Sequence, residues 1–594
     1  MLRTMGLARN DRIALLLPNG PEMAVAFLSV AAGATCTPLN PAYNASDFEF
    51  YLGDLNAKAL LIQADMDSPA RAIAHARGLS IIELSPMLEA EAGLFMLEGE
   101  QQAHAACDEF AQSDDVALVL HTAGTTSRAK IVPLTHSNIC TSAYNRSVTV
   151  KLAASDRCLN VLPLFHVHGL LGGILASLVA GGSIVCTPGF DASKFFVWMV
   201  EFGPTWYTAV PIIHQAVLEH AAINHEIIAS CPLRLIRSGS AALPLQILVE
   251  LEKVFNVPVI VSYGMTEVPL ITSNLISARE RKTGSVGVAA GPEIAIMGEM
   301  GALLGAGEIG EIVVRGSNVF QGYDNNPIAN MGAFTNGWFR TGDQGYLDTD
   351  GYLFITGRLK EIINRGGEKV APWEVDEVLM QHSAVAQAVT FAVPAARLGE
   401  DVAAAVVLHQ NGMATDTDIR HFAATRLPAF KIPSQVLIVE EIPKSSTGKL
   451  QRIGLADKLS LSAPDRSRRM VLTNYAAPHT SAEEMLARLW AQVLDLERVG
   501  LHDDFFELGG NSILAMQLLS RMREAMQVEL PLVSLFESPT IAGLAVAVAQ
   551  HQAERMGHDD IARLLATVEG LSDDEAHRLL ADRSAQSGMC NKSK

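Results

Sequence analysis

Short apolar, β-branched runs at 116–120, 205–210, 233–236 and 257–261 recur through the first half of the chain, separated by stretches whose apolar residues return every three or four positions. Runs of that length, bounded by turn residues, predict buried strands alternating with helices, and hence α/β sheets extending through Val286 and beyond. One long uncharged stretch, residues 169–186, contains several glycines and breaks at Gly181-Gly182. That break is a natural helix stop and Ser183-Ile184-Val185 suits a strand, so the stretch predicts a buried helix running into a strand; a membrane span is the disfavoured alternative. No internal repeat or low-complexity tract interrupts the pattern.

Near the C-terminus the pattern turns wholly helical. Thr480-x-x-Glu483 is a capping box, and Leu486, Leu489, Trp490 and Val493 share the face of the helix it opens. Further on stands Asp503-Asp504-Phe505-Phe506-Glu507-Leu508-Gly509-Gly510-Asn511-Ser512-Ile513, after which Leu514, Leu518, Leu519 and Met522 continue at helical spacing. The two glycines free the backbone and keep bulk away, while Ser512 is placed to cap the helix and stand exposed at its tip. Alone, a Gly-Gly-x-Ser reads as an ordinary cap; with the acidic-aromatic run upstream and helices on both sides it reads as a presented serine in a small bundle. The Pro-, Ser- and Arg-containing residues from 457 to 478 predict a linker in front of it.

With 594 residues, several domains are expected, and 49% apolar residues fill large cores. A net charge of −19 leaves no broad basic surface for phosphates, which argues against a nucleic-acid partner. The seven cysteines form no Cys-x-x-Cys pair and no cluster at zinc-ligand spacing, a usage that suits reduced thiols and a cytoplasmic location.

Candidate chemistry begins directly after the predicted strand at 116–120, at His121-Thr122-Ala123-Gly124-Thr125-Thr126-Ser127-Arg128-Ala129-Lys130. Small residues let backbone N–H groups approach anionic oxygens, and the hydroxyls of Thr122, Thr125 and Thr126 add donors, so the loop can cradle phosphates. It lacks the second glycine and the Ser/Thr of a Walker loop, and alone it reads as a polar turn. Downstream follow Leu162-Pro163-Leu164-Phe165-His166-Val167-His168-Gly169, Tyr263-Gly264-Met265-Thr266-Glu267, Gly337-Trp338-Phe339-Arg340-Thr341-Gly342-Asp343, Gly357-Arg358-Leu359-Lys360-Glu361 and Pro443-Lys444-Ser445-Ser446-Thr447-Gly448-Lys449. Singly, Glu267 reads as a solvated carboxylate, Asp343 as a turn former and Lys449 as a surface lysine.

Together and in this order, the motifs resemble the adenylate-forming superfamily of acyl-CoA synthetases, luciferases and nonribosomal peptide synthetase adenylation domains, over roughly residues 10–455. Thr205-Trp206-Tyr207-Thr208-Ala209-Val210-Pro211, Ile236-Arg237-Ser238-Gly239-Ser240 and Asn364-Arg365-Gly366-Gly367-Glu368-Lys369 are most similar to its oxalate–CoA ligase branch. The segment around Ser512 resembles the carrier domains of assembly-line synthetases, which implies that a phosphopantetheinyl transferase esterifies Ser512 with 4′-phosphopantetheine. The resemblance implies a large α/β domain over 1–356, a smaller α+β subdomain over 357–455, a linker over 456–479, an all-α, four-helix-type carrier over 480–551 and a tail over 552–594 that docks a partner or stays mobile.

It also implies two half-reactions: a carboxylate attacks the α-phosphate of ATP to give acyl-AMP, and a thiol then displaces AMP. Carried onto this sequence, Thr122, Gly124, Thr125, Thr126 and Lys130 hold the β- and γ-phosphates, and Tyr263 packs on adenine near Ser238, Gly239 and Ser240. Asp343 accepts the ribose hydroxyls with Arg358 nearby, Thr266 stands by the phosphate and Glu267 binds Mg2+. Lys449 bridges carboxylate and α-phosphate, where negative charge gathers. Lys360 sits at a hinge, Gly366 and Gly367 line a thiol tunnel, and His166, His168 and Arg237 line the acyl pocket.

His166 stands where amino-acid-activating relatives place an aspartate, which implies an acid without a required α-ammonium group: a small acid or dicarboxylate, or else a fatty or aryl acid. The phosphate loop departs from the family pattern at Ala123, Ser127, Ala129 and Ile131, and relatives carry an additional N-terminal segment before the counterpart of Asp11-Arg12-Ile13. Three readings follow: a ligase that loads its own Ser512 arm for a downstream synthase or synthetase, an acyl-CoA ligase using free CoA, and an impaired scaffold whose carrier is loaded in trans. None of them requires a nucleic acid or a membrane.

Overall fold

The structure is a computed structural model that describes residues 2–100, 110–122, 129–395, 398–409, 412–443, 452–459, 476–494, 496–505, 508, 510, 512–531, 534–535 and 538–555. Two compact units emerge, the first reaching Glu361 and the second beginning at Ile362.

The first unit holds two seven-stranded sheets. In one, the parallel strands Ser80–Pro86, Ala59–Gln63, Arg12–Leu16, Thr35–Pro38 and Val116–Thr122 lie side by side between antiparallel edges Phe95–Gly99 and Lys130–Thr135. In the other, Ser183–Cys186, Arg157–Asn160, Trp206–Ala209, Leu235–Ser238 and Val259–Tyr263 are parallel, followed by antiparallel Thr272–Ser273 and Val288–Ala289. The strand sequences are apolar without alternation because both faces are covered. Ile13 and Leu15 enter one core while Ala14 and Leu16 enter another; Tyr207 and Trp206 divide in the same way. The predicted strands at 116–120, 205–210, 233–236 and 257–261 are all present, each shifted by at most two residues at its start.

The uncharged stretch forms a π-helical segment, His168–Leu175, that passes into the short helix Ala176–Val179, stops at Gly181 in the left-handed region (φ 77°) and enters strand Ser183–Cys186. No described helix is long and apolar enough to cross a membrane. An antiparallel sheet completes the unit, with strands Glu293–Met297, Gly310–Arg315, Trp338–Leu347, Phe334–Thr335 and Leu353–Arg358. Its last strand runs across the expected boundary at 356, so Arg358 belongs to the first unit.

In the second unit, strands Glu368–Val370, Ile363–Arg365, Gly399–Leu408, Val385–Ala395 and Gln435–Ile438 form a mixed sheet, and helices Pro372–Leu379 and Asp416–Ala424 bury Val375, Leu379, Ile419 and Ala423 in the same core as its Val402, Ala404 and Val406. Helix Leu455–Lys458 buries Leu455 and Ala456 against that sheet, so the residues expected to open the linker are folded. The C-terminal bundle has helices Ser481–Leu494, Ser512–Met526 and Ile541–Arg555 among the described residues. Thr480 and Glu483 exchange the two capping-box hydrogen bonds at 3.2 and 2.9 Å. The face predicted for the first of these helices is buried, with Trp490 edge-on to Phe505 at 5.0 Å between ring centres. Ser512 is the first helical residue rather than the residue before the helix. Gly510 abuts Phe505 so closely that a Cβ there would lie 2.2 Å from the ring, so this glycine serves close packing.

Trp490→Ala should destabilise the bundle by about 3–5 kcal/mol, the usual cost of emptying a packed aromatic site. Loss of the C-terminal transition in chemical denaturation of the full chain, with the first unit's transition unmoved, checks it.

Candidate active site

Three of the singled-out residues meet at one carboxylate. Strand Val259–Tyr263 ends at a turn where a Cβ on Gly264 would sit 2.6 Å from the Pro269 carbonyl oxygen, and Met265 and Val268 exchange backbone hydrogen bonds at 3.0 and 3.2 Å. The Tyr263 hydroxyl donates to Asp343 Oδ2 at 2.6 Å, and Arg358 Nε donates to Asp343 Oδ1 at 2.9 Å. Asp343 and Arg358 are cross-strand partners, so sheet register places this ion pair. Burial, then the neighbouring Asp343, push the Tyr263 phenol well above its ordinary pKa. Burial works against the Arg358 charge, but Asp343 prevails and holds the guanidinium above its usual value.

A second group surrounds Glu267. Its carboxylate is buried and accepts from the Tyr323 hydroxyl at 2.8 Å; Lys130 Nζ lies 4.2 Å from the Tyr323 ring centre. Lys130 stands opposite Thr122 across the antiparallel pair that flanks residues 123–128. Burial lifts the Glu267 carboxyl above its ordinary pKa, although Tyr323 and Lys130 oppose the shift. Burial also lowers the Lys130 ammonium; Lys360 adds like-charge repulsion and Glu267 counteracts both. The motifs did not reveal Tyr323, which lies in a turn-rich stretch with no periodic signal. Gly124, Thr125, Thr126 and Lys449 lie outside the described residues.

Thr266 lines a narrow pocket of about 60 Å³ together with Arg146, His168, Arg237, Ser240 and Ser262. Within it, Arg237 Nη1 and the Thr208 hydroxyl lie 3.0 and 2.7 Å from His168 Nε2, while His168 Nδ1 lies 2.9 Å from Ser240 Oγ. A guanidinium can only donate, so Nε2 accepts and the imidazole proton sits on Nδ1, facing Ser240. Ser240 holds a left-handed backbone (φ 69°), and Gly239 leaves room for the His168 ring, which would lie 3.3 Å from a Cβ there. Ser238 is buried in the adjoining strand. His166 packs on Phe165 at 4.6 Å between ring centres and does not line this pocket. Arg146, from helix His136–Thr149, does; its polar neighbours in the helix hid it.

In the second unit Gly366 and Gly367 form the two-residue turn of a hairpin, both left-handed (φ 61° and 103°), with the Gly367 N–H donating to the Asn364 side chain at 3.2 Å. Buried Arg365 anchors the hairpin through Asp401 at 2.7 Å and the carbonyl oxygens of Phe430 and Ile432.

An α/β body in which buried Asp343 is held by Tyr263 and Arg358, continued by an α+β subdomain and a helical bundle, is the architecture of an adenylate-forming ligase fused to a carrier. The chain belongs to the AMP-binding enzyme family, whose model matches residues 1–324; the AMP-binding enzyme C-terminal domain matches 374–449 and the phosphopantetheine attachment site 484–548. It is 44% identical to an oxalate–CoA ligase of Arabidopsis thaliana over 75% of this chain and 88% of that one. Among solved structures, ATP-bound MatB from Rhodopseudomonas palustris is 30% identical over 77% of this chain and 91% of its own, with a TM-score of 0.70. The McyG A-PCP structure shares the fold over 92% of this chain and 91% of its own, at 21% identity and a TM-score of 0.72. The protein is therefore an ATP-dependent, AMP-forming acid–thiol ligase with a carrier domain.

Because the folded-state pKa of Glu267 is raised, the folded chain holds the extra proton, and the stability this residue contributes is present at acid pH and lost as pH rises through that pKa. In the absence of divalent cations, Glu267→Gln should therefore melt progressively higher than the parent as pH increases from about 5 to about 8. Melting curves across that range check the sign.

Proposed function

We propose that the protein activates a small carboxylic acid as its acyl-adenylate and transfers the acyl group to a thiol carried on its own Ser512, loading it for a downstream synthase or synthetase. The observation that carries this reading is that an adenylating body and a carrier bundle with Ser512 opening a helix occur on one chain. A tethered acceptor has an effective concentration on the order of millimolar, so transfer in cis is favoured over encounter with a free thiol.

Thr122, Gly124, Thr125, Thr126 and Lys130 bind the β- and γ-phosphates; Ser238, Gly239, Ser240 and Tyr263 surround the adenine; Asp343 and Arg358 hold the ribose. Lys449 brings carboxylate and α-phosphate together, with Thr266 beside them. Glu267 fits Mg2+, since a buried carboxylate with a raised pKa gains from a hard cation shared with phosphate oxygens, and the ion would neutralise phosphate charge there. Lys360 serves the hinge between half-reactions, and Gly366 and Gly367 border the path of the thiol. The phosphopantetheine arm, placed on Ser512 by a phosphopantetheinyl transferase, supplies the accepting thiol. The pocket lining contains two arginines and no carboxylate, which supports an acid without an α-ammonium group. A second reading, transfer to free CoA, is favoured by the CoA-ligase relative at 44% identity.

Ser512→Ala should leave acyl-AMP formation intact and abolish covalent loading, as read by intact-protein mass spectrometry; a phosphopantetheinylated parent that takes up no acyl mass while acylating free CoA would decide for the second reading. Lys449→Ala should lower adenylation by on the order of 100-fold or more yet spare thioester formation from supplied acyl-AMP, whereas Gly367→Trp should do the reverse. Separate assays of the two half-reactions distinguish these outcomes from equal damage to both.

A further inference from the structure

One buried carboxylate of the second unit belongs to none of the motifs. Asp376 lies on the inward face of helix Pro372–Leu379, beside buried Val375 and Leu379, and is itself buried. Both of its oxygens are engaged: Oδ1 accepts from the Thr390 N–H at 2.5 Å, and Oδ2 pairs with Arg452 Nη2 at 2.6 Å. Arg452 also donates through Nη1 to the Thr390 carbonyl oxygen at 3.0 Å, so carboxylate, guanidinium and the backbone of strand Val385–Ala395 close a ring. Burial pushes the Asp376 carboxyl up, and Arg452 is the largest influence holding it down.

The ring fixes a point on the chain close to Lys449, which stands three residues before Arg452. Beyond Arg452 the next anchor is apolar: Leu455 and Ala456 pack in one core with Val389, Phe391 and Ile442. A chain spans at most about 3.5 Å per residue, so Lys449 is tethered within about 10 Å by Arg452 and within about 20 Å if Leu455 is the first anchor. Desolvation offsets most of the attraction in a buried ion pair, so this one contributes little net stability; what it supplies is a fixed position.

We propose that Asp376 is a positioning residue for the adenylation half-reaction: through Arg452 it fixes the chain near Lys449 and so holds that ammonium where carboxylate and α-phosphate meet. The inference rests on the adenylation reading and on the role it gives Lys449, and it adds a residue that touches neither substrate. Thioester formation, which on the same reading does not use Lys449, does not depend on the pair.

The test uses the full phosphopantetheinylated chain, ATP–pyrophosphate exchange with the acid that exchanges fastest in a panel of short mono- and dicarboxylates, and thioester formation from that acid's synthetic acyl-AMP. Asp376→Asn keeps the shape and removes the charge; it should lower kcat for exchange by about 10- to 100-fold, change KM for ATP and acid by less than about threefold, and leave the thioester step within about twofold. Arg452→Gln should match it, and the double variant should be no worse than either alone, because the two groups act as a unit. In a Lys449→Ala background, Asp376→Asn should cost nothing further, an outcome that a merely structural role would not produce. Arg452→Lys keeps the charge with one fewer hydrogen bond; it should recover part of the exchange lost in Arg452→Gln, and carries the test if Asp376→Asn does not fold. Unchanged exchange in these variants, equal loss in both half-reactions, or a further loss in the Lys449→Ala background would overturn the positioning role while leaving adenylation intact. A parent that exchanges with no acid of the panel would overturn the adenylation reading, and this inference with it.

Discussion

The Asp343 carboxylate holds the first unit's functional end together. It is buried, and a buried carboxylate is tolerated only when its oxygens are answered. Tyr263, at the end of the second sheet, answers one oxygen; Arg358, on the neighbouring strand of the antiparallel sheet, answers the other. The strand that carries it is fixed from behind by Glu311, which accepts from Arg340 Nε at 2.8 Å and from the Gly342 N–H at 3.0 Å. Two sheets are thereby joined through side chains a few residues before the chain leaves the first unit at Glu361. Every role proposed for Tyr263, Arg358 and Lys360 depends on that junction.

At the site, Glu267 and Asp343 are the buried carboxylates and Arg146 and Arg237 the buried guanidinium groups. Among the described residues, Asp343 is answered on both oxygens, whereas Glu267 accepts from the Tyr323 hydroxyl, with Lys130 over that ring, and Arg146 donates to one carbonyl oxygen. The charges less fully answered belong to the proposed site, which is how a fold places its least stable features where it works.

Much of this was legible in the sequence. Continuous apolar runs disclose strands covered on both faces, and the capping box with Leu486, Leu489, Trp490 and Val493 discloses the first bundle helix, because in both cases short-range pattern and long-range burial agree. The motifs disclosed Tyr263, Asp343 and Arg358 as important, yet their convergence on one carboxylate depends on the register of two neighbouring strands and on where a strand of another sheet, 80 residues earlier, ends against them. Arg146 and Tyr323 left no trace: a lone arginine on a helix with serines, threonines and asparagines reads as solvent-facing, and only tertiary packing turns it inward. His166 and His168 were indistinguishable in the motif; the winding of the backbone between His168 and Leu175 separates a residue packed on Phe165 from one inside the pocket.

That winding makes the pocket sensitive to chain length. A π-helical segment accommodates one residue more than an α-helix over the same rise, and residues 168–175 are wound this way. Removing a single residue there would let the segment relax to α-helix, leaving the flanking turns in phase while the residues inside the segment move onto other faces. His168 would leave Ser240 and Thr208, or Gly172 would turn away from Arg146 and Arg237, whose guanidinium groups it borders. Divergence of specificity in this architecture then has a route that substitution tables miss: relatives that gain or lose one residue between the His-x-His motif and Gly181 present a different set of side chains to the acid, with every other motif unchanged.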